Sequence, residues 1–406
     1  MRVLWTSNVL FEEVCQDLKL SIGVGGSWMH ALADLIKDDI QLGVVCIKTG
    51  YNYNKIISGI HFYVIDSLTE LSWNSIVSEF GPDIIHIHGT EYEFTNDVFT
   101  YSKNIPCVIS IQGMASECAR FFNGGISLKE LSRYITPKCF FCRTRVADIQ
   151  KILYKKGESE ISLLKKAHHV IGRTEWDRCN VLSLNPRINY YVCNEVLRDS
   201  FYRGTWSYEQ CNKHSIFITG SMVALKGAHQ VVKAMAIVKE RYPDLKAIFI
   251  GRDITGQLSF KKYIMMSDYN MYLRHLIKQY GLENNIEFKD HLSEIEMKEY
   301  FLSCNVCVLP SSVENSSNSL SEAQMLGVPV LASYTGGTPT LMKGILQDNL
   351  YRFEDYQVLA RKIEEIFERK YWDQYVESVR KIALERHDKQ TIKESLLDIY
   401  KKIVVS

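Results

Sequence analysis

The 406-residue chain has no run approaching the ~18 consecutive apolar residues that cross a membrane as a helix. Its opening, Met1-Arg2-Val3-Leu4-Trp5-Thr6-Ser7-Asn8, lacks the apolar core of a signal peptide and reads directly as strand, so a cytoplasmic protein is expected. Neither sign of charge is in excess. With 48 Lys plus Arg against 47 Asp plus Glu, the net +1 excludes a dedicated nucleic-acid binder, whose domain would be markedly basic. No disulfide framework is visible, because eleven cysteines in a long chain suit reduced thiols. Two Cys-x-x-Cys pairs occur, Cys139/Cys142 and Cys304/Cys307. They stand far beyond the ~15–20-residue separation of a zinc ribbon, and Cys304/Cys307 adjoins an apolar strand, where packing is the simpler reading. No low-complexity tract and no solenoid repeat appears.

What is present is an alternation. Short apolar runs at Val3–Thr6, Leu42–Ile47, His61–Ile65, Asp83–His88, Pro106–Ile111, His169–Gly172 and Tyr190–Cys193 are separated by amphipathic stretches such as Trp28–Lys37, Leu68–Phe80 and Ser159–Ala167. That rhythm predicts a mainly parallel sheet with helices on both faces. The pattern lapses over 194–213 and restarts with strands at Ser215–Thr219, Leu245–Ile250, Ile286–Phe288, Val306–Leu309 and Val328–Ala332. The fold class is therefore α/β with two Rossmann-like domains, expected over 1–205 and 206–385, and a C-terminal helix over 386–406 that packs back on the first. In open α/β sheets ligands sit beyond the carboxyl ends of the strands, at helix N-termini.

The most informative segment leaves a strand and enters a helix: Pro310-Ser311-Ser312-Val313-Glu314-Asn315-Ser316-Ser317-Asn318-Ser319-Leu320-Ser321-Glu322. Two glutamates stand eight positions apart, the first in the loop and the second in the helix. A carboxylate accepts paired hydrogen bonds from vicinal hydroxyls, so a helix-borne glutamate suits a ribose, and the Asn/Ser backbone N–H groups at the helix start suit an anionic or hydroxyl-rich group. The plainer alternative makes Glu314 a helix-entry residue and Glu322 a surface charge.

This block, with Gly327-Val328-Pro329-Val330 and Gly336-Gly337-Thr338-Pro339 after it, resembles the Glu-(seven residues)-Glu signature of family-four retaining glycosyltransferases. That family has two facing Rossmann-like domains, the GT-B architecture. Gly25-Gly26, Asp83-Ile84-Ile85-His86-Ile87-His88-Gly89, Val170-Ile171-Gly172-Arg173-Thr174-Glu175 and Lys226-Gly227 match further landmarks in order. The resemblance implies a nucleotide-diphosphate-sugar donor, with Glu322 on its ribose and Glu314 on the donor sugar or the reacting face. Asn315, Ser316, Ser317 and Asn318 lie beside them. Lys226 would neutralise the leaving diphosphate, and Gly25 and Gly26 would let the backbone approach it. The acceptor would be a saccharide, lipid-linked as in bacterial capsular or exopolysaccharide assembly.

Two departures qualify the resemblance. The family's arginine before the lysine is missing, since the run here is Gly220-Ser221-Met222. Arg173 is the first candidate to replace it and Arg252 the second; the alternative for Arg173 is a salt bridge to Glu175 or Asp177. Gln112 stands where many members carry a histidine and cannot take up a proton. His88 is then the nearest base by motif, unless the leaving phosphate itself accepts the acceptor's proton. There is also no Asp-x-Asp to hold a divalent cation on the diphosphate, so neither metal nor cofactor is expected. Two other functions share the architecture: a nucleotide-sugar 2-epimerase, and a sugar-nucleotide-binding protein without activity. Finally, 138–156 carries Lys138, Arg143, Arg145, Lys151, Lys155 and Lys156 against Asp148, interleaved with Phe140, Phe141, Ile149, Ile152, Leu153 and Tyr154. It reads either as an interfacial helix making peripheral membrane contact or as a solvated basic face over a buried stripe.

Overall fold

The computed structural model of the chain describes residues 1–21, 27–257 and 259–405. They contain fourteen strands in two sheets. The first sheet is built from β1 (Arg2–Ser7), β2 (Gln41–Ile47), β3 (Tyr53–Ile57), β4 (Ile60–Ile65), β5 (Ile84–His88), β6 (Cys107–Ser110), β7 (His169–Gly172) and β8 (Asn189–Val192), in the order β3-β4-β2-β1-β5-β6-β7-β8. All pairs are parallel except β3 with β4. The second sheet comprises β9 (Ser215–Ile218), β10 (Lys246–Ile250), β11 (Ile286–Lys289), β12 (Val306–Leu309), β13 (Val330–Ser333) and β14 (Leu350–Tyr351), all parallel, in the order β11-β10-β9-β12-β13-β14.

The central strands are apolar runs because helices cover both of their faces. β2 is buried over five consecutive positions and β5 throughout. β3 escapes the sequence reading because its Tyr-Asn-Lys-Ile-Ile is largely exposed at the sheet edge. It is joined to β4 by a two-residue turn in which Ser58 and Gly59 both have positive φ (50° and 85°), the twist a tight hairpin needs. Helix boundaries follow local chemistry. The Glu70–Phe80 helix starts at a Thr69/Ser72 capping box and stops at Gly81 in the left-handed region.

The chain divides into two compact units, and the division is not the contiguous one expected from the sequence. The first holds 1–116, 155–198 and the stretch from 386 onward; the second holds 117–154 and 199–385. Residues 117–154 thus leave the first unit, contrary to a domain over 1–205. The reason is packing: Phe122, Ile126, Leu131 and Val146 are buried in the same core as Tyr269 and Leu273. Thr136 Oγ1 donates to the Met266 carbonyl (2.6 Å), Asp268 accepts from the Val146 N–H, and His229 Nε2 reaches the Gly124 carbonyl (3.0 Å). The C-terminal helix Lys389–Val405 belongs to the first unit, where Ile392, Leu396, Ile399 and Ile403 share a core with Val3 and Trp5.

The basic segment is likewise not one helix. Pro137–Phe141 is helical, Arg143 turns the chain with φ 51°, and a longer helix runs over Val146–Leu164. Ile149 and Leu153 pack on the second core, whereas Phe141 is 80% exposed and Phe140, Ile152 and Tyr154 also face water. Among the described residues no helix is long and apolar enough to cross a membrane. Of the cysteine pairs, Cys304 and Cys307 are buried, and Cys139 sits inside a capping box with Thr136.

Candidate functional site

In the second unit β12 delivers the chain into the loop that carries Glu314. Ser317 caps the Asn318–Leu326 helix by accepting from the Leu320 N–H. Glu314 Oε2 accepts from Lys226 Nζ at 2.6 Å and from Ser311 Oγ at 3.3 Å. Lys226 reaches it from a short 3₁₀ turn, Ala224–Lys226, ended by Gly227. The carboxylate beside Lys226 holds its ammonium pKa above the ordinary lysine value, so it is cationic at neutral pH. Glu322 lies within the Asn318–Leu326 helix and is 4% exposed, which removes the surface-charge reading. Asn315 is buried as well; Ser316, Ser317 and Asn318 are half-buried.

Two glycine positions make this geometry possible. At Gly227 (φ 69°) a Cβ would stand 1.8 Å from the Pro310 carbonyl oxygen; at Gly336 (φ 51°) it would stand 2.1 Å from that of Glu314. The next residue, Gly337, donates its N–H to the Glu314 carbonyl at 2.8 Å. The loop after β12 is therefore held by backbone on both sides. Ser312 Oγ adds contacts to the Leu225 and Phe121 carbonyls, so the 117–154 excursion touches this loop too.

At the position of the missing arginine, Ser221 is buried and donates to the Ile250 carbonyl (2.8 Å), and Gly251 closes against Ser221 and Met222. Arg252, the next residue after Gly251, is exposed. Gly25 and Gly26 lie outside the described residues.

In the first unit the expected residues gather at the carboxyl ends of β5 to β8, but two of the roles fail. Arg173 is 6% exposed. Its Nη1 pairs with Glu195 Oε2 at 2.6 Å, and its Nη2 donates to the carbonyls of Ile111 and Gln112. A guanidinium so committed cannot be the diphosphate cation; it holds the loop that carries Gln112. Nor is its partner Glu175 or Asp177. Glu175 pairs with Arg178, and Asp177 takes the Arg173 backbone N–H. Glu195 was not anticipated, since only the fold brings the end of β8 beside the end of β7. Arg386 and His387 secure the pair further, through the carbonyls of Arg173 and Glu195.

His88 is 2% exposed, with its ring 4.7 Å from Trp5, 5.5 Å from Trp28 and 3.8 Å from His86. Burial pushes its pKa down to about 3. A ring that takes up a proton only near pH 3 is too weak an acceptor at neutral pH, and this, not its neutral charge, counts against the expectation of a base. His86, on the same side of β5, is structural. Tyr400 Oη accepts from Trp5 Nε1 at 2.9 Å and so donates to His86 Nδ1 (2.6 Å), leaving Nε2–H for Ser110 Oγ (2.6 Å). Gln112 lines a small cavity with Trp28, His88, Asn194 and Glu195 and is half-buried. A second unanticipated residue, the fully buried Glu160, accepts from the N–H groups of Ala115 and Ser116, from Ser116 Oγ and from Thr90 Oγ1. It ties the loops after β5 and β6 together. Among the described residues no cluster of three or more His, Cys, Asp or Glu has the geometry of a metal site.

Residues 209–385 match the model of the family Glycosyl transferases group 1. Among curated relatives, the chain is 32% identical over 145 residues to a D-inositol 3-phosphate glycosyltransferase of Paenarthrobacter aurescens, covering 35% of this chain and 33% of that one. It is 29% identical over 221 residues to an uncharacterized 41.2 kDa protein in the cps region of Klebsiella pneumoniae, covering 51% and 61%. The chain thus spans less than two thirds of either relative. Among solved structures, sucrose-phosphate synthase from Thermosynechococcus elongatus aligns with TM-score 0.70 at 15% identity, over 100% of this chain and 99% of that one. Anabaena HepE in complex with UDP-glucose aligns with TM-score 0.67 at 16% identity, over 100% of both. At such identities the likeness is one of fold. Residues 209–385 carry the glycosyltransferase group 1 domain, and the whole chain has the two-unit, Rossmann-like GT-B fold.

Proposed function

We propose that the chain is a retaining glycosyltransferase that moves a sugar from a nucleotide diphosphate to a lipid-linked saccharide in surface-polysaccharide assembly. The observation that carries this reading is the Lys226–Glu314 contact on a glycine-braced loop leading into the helix of the buried Glu322, all within the group 1 domain. Lys226 neutralises charge on the departing diphosphate, where stabilisation lowers the barrier most. Glu314 takes hydroxyls of the donor sugar, and Glu322 takes the ribose. Arg252 replaces Arg173 as the second cation. Asn315 to Asn318 supply helix-start N–H groups, and Gly25 and Gly26 admit the phosphates. No metal is needed on this scheme.

HepE, a neighbour in fold, was solved with UDP-glucose, which supports a sugar nucleotide as donor. The relative in the cps region supports surface polysaccharide as the destination. Retention by a one-face route, with the leaving phosphate as proton acceptor, is supported by the lack of a fit base at His88 and Gln112. Glu322→Gln is the test. Losing a charge-assisted hydrogen-bond pair, about 1.5–3 kcal/mol, weakens nucleotide-sugar binding roughly tenfold to a hundredfold by calorimetry. If the variant keeps full affinity for every sugar nucleotide that the parent chain binds, the donor site is elsewhere.

Peripheral membrane contact, on the same proposal, runs through Phe140 and Phe141, exposed beside Lys138 and Arg143. Flotation with anionic vesicles at low salt is expected to carry the protein upward, and Phe140→Ser/Phe141→Ser to leave it at the bottom. A parent chain that stays with the soluble fraction removes the idea.

A further inference from the structure

Residues 205–209 and the stretch 369–385 line a groove of about 1310 Å³ in the second unit, and neither Lys226, Glu314 nor Glu322 borders it. Its base is aromatic. Trp206, Trp372 and Tyr375 are buried, Trp206 meets Trp372 edge-on at 5.1 Å, and Tyr208 stacks on Trp372 at 6.2 Å. One wall is a turn fixed by four contacts. The Arg369 guanidinium lies 4.9 Å from the Trp372 ring and 4.7 Å from that of Tyr375. Arg369 Nε donates to the Tyr371 carbonyl, and Trp372 Nε1 to the Arg369 carbonyl. The turn so fixed projects Tyr371 into water, where it is 89% exposed. Tyr371 therefore adds an open aromatic face to the groove, against which a ligand can lie.

The rim states what that is. Four basic side chains (Arg369, Lys370, Arg380, Lys381) are matched in number by four acidic ones (Glu209, Asp373, Glu377, Glu385), so the groove's lining has no net charge. A polyanion would meet four carboxylates, and a cationic ligand four cations. A hydroxyl both donates and accepts, so a polyhydroxylated neutral ligand satisfies both kinds of group at once, while its C–H face lies on an aromatic ring. We propose that this groove binds a neutral oligosaccharide. The proposal stands apart from the transferase reading, because the donor residues lie elsewhere in the same unit.

Saturation-transfer NMR on the full chain, with cellohexaose, maltohexaose and a heparin-derived hexasaccharide as probes, tests it. At least one neutral hexasaccharide is expected to bind and the sulfated one not to. Tyr371→Ala should weaken binding about tenfold, the size of one aromatic contact, while Tyr371→Phe retains it. The thermal shift with UDP is read on each variant and should not move, which separates this site from the donor site. Absence of binding by both neutral probes at millimolar concentration overturns the proposal. So does binding that survives Tyr371→Ala, or preference for the sulfated probe.

Discussion

Replacing Lys226 by alanine should lower kcat/KM for sugar transfer by about 10²–10³, the loss typical when one donor to a developing negative charge is removed. Lys226 Nζ lies 2.6 Å from Glu314, which keeps it protonated and aimed. On the proposed scheme an arriving donor would share the ammonium between carboxylate and diphosphate, and the second contact would strengthen as the leaving oxygen gains charge. The two side chains therefore act as a unit. Glu314→Gln should also be severely slowed, and the double variant Lys226→Ala/Glu314→Gln should be hardly worse than the slower single one. Lys226→Arg should not restore the rate, because a planar fork cannot take the place of a compact ammonium in this contact. The parent rate should persist in EDTA. Steady-state kinetics on the parent and the four variants decides the matter: a Lys226→Ala rate within about fivefold of the parent contradicts the assignment, its loss then falling far short of one charge-stabilising donor.

The second large effect is on stability in acid. Burial holds His88 and His229 at about 3 and His387 at about 4, all well below the unfolded value near 6.5. In the window between, the unfolded chain binds protons that the folded chain does not. Stability contributed by these groups is complete above about 6.5 and falls as pH drops toward 3–4, by about 1.4 kcal/mol per pH unit for each histidine. His88 and His387 lie in the first unit and His229 in the second, so both should weaken. The carboxylates of Asp17 and Asp148, whose partners hold them below 3.8, titrate under most of this window. Urea titrations at pH 7.5, 6 and 5 should show midpoints falling steadily, with a shallower fall in His229→Gln. A midpoint unchanged from pH 7 to 5 would show that these rings are solvated in the folded protein.

Much of the architecture was legible because parallel strands covered on both faces must be apolar, and loops at their ends are rich in Gly, Ser and Asn. β1, β2, β5, β7 and β12 were read to within a residue for that reason. The edge strand β3 was not, since an exposed strand has no need of apolar residues. The motif around Glu314 and Glu322 was visible as a string. That Glu322 is buried and Glu314 bonded to Lys226 was not, because those facts depend on a contact between residues 88 positions apart.

By itself, then, the sequence determined the fold class, the two-unit design and the segment on which the donor chemistry is proposed. These follow from local periodicity and from glycine and capping residues whose conformational demands act over a few positions. Tertiary structure alone decided which core the 117–154 excursion joins, that Arg173 is neutralised by Glu195, and that His88 is held proton-free under Trp5 and Trp28. Burial and charge pairing are set by neighbours from distant parts of the chain, and no local pattern encodes which neighbours those will be.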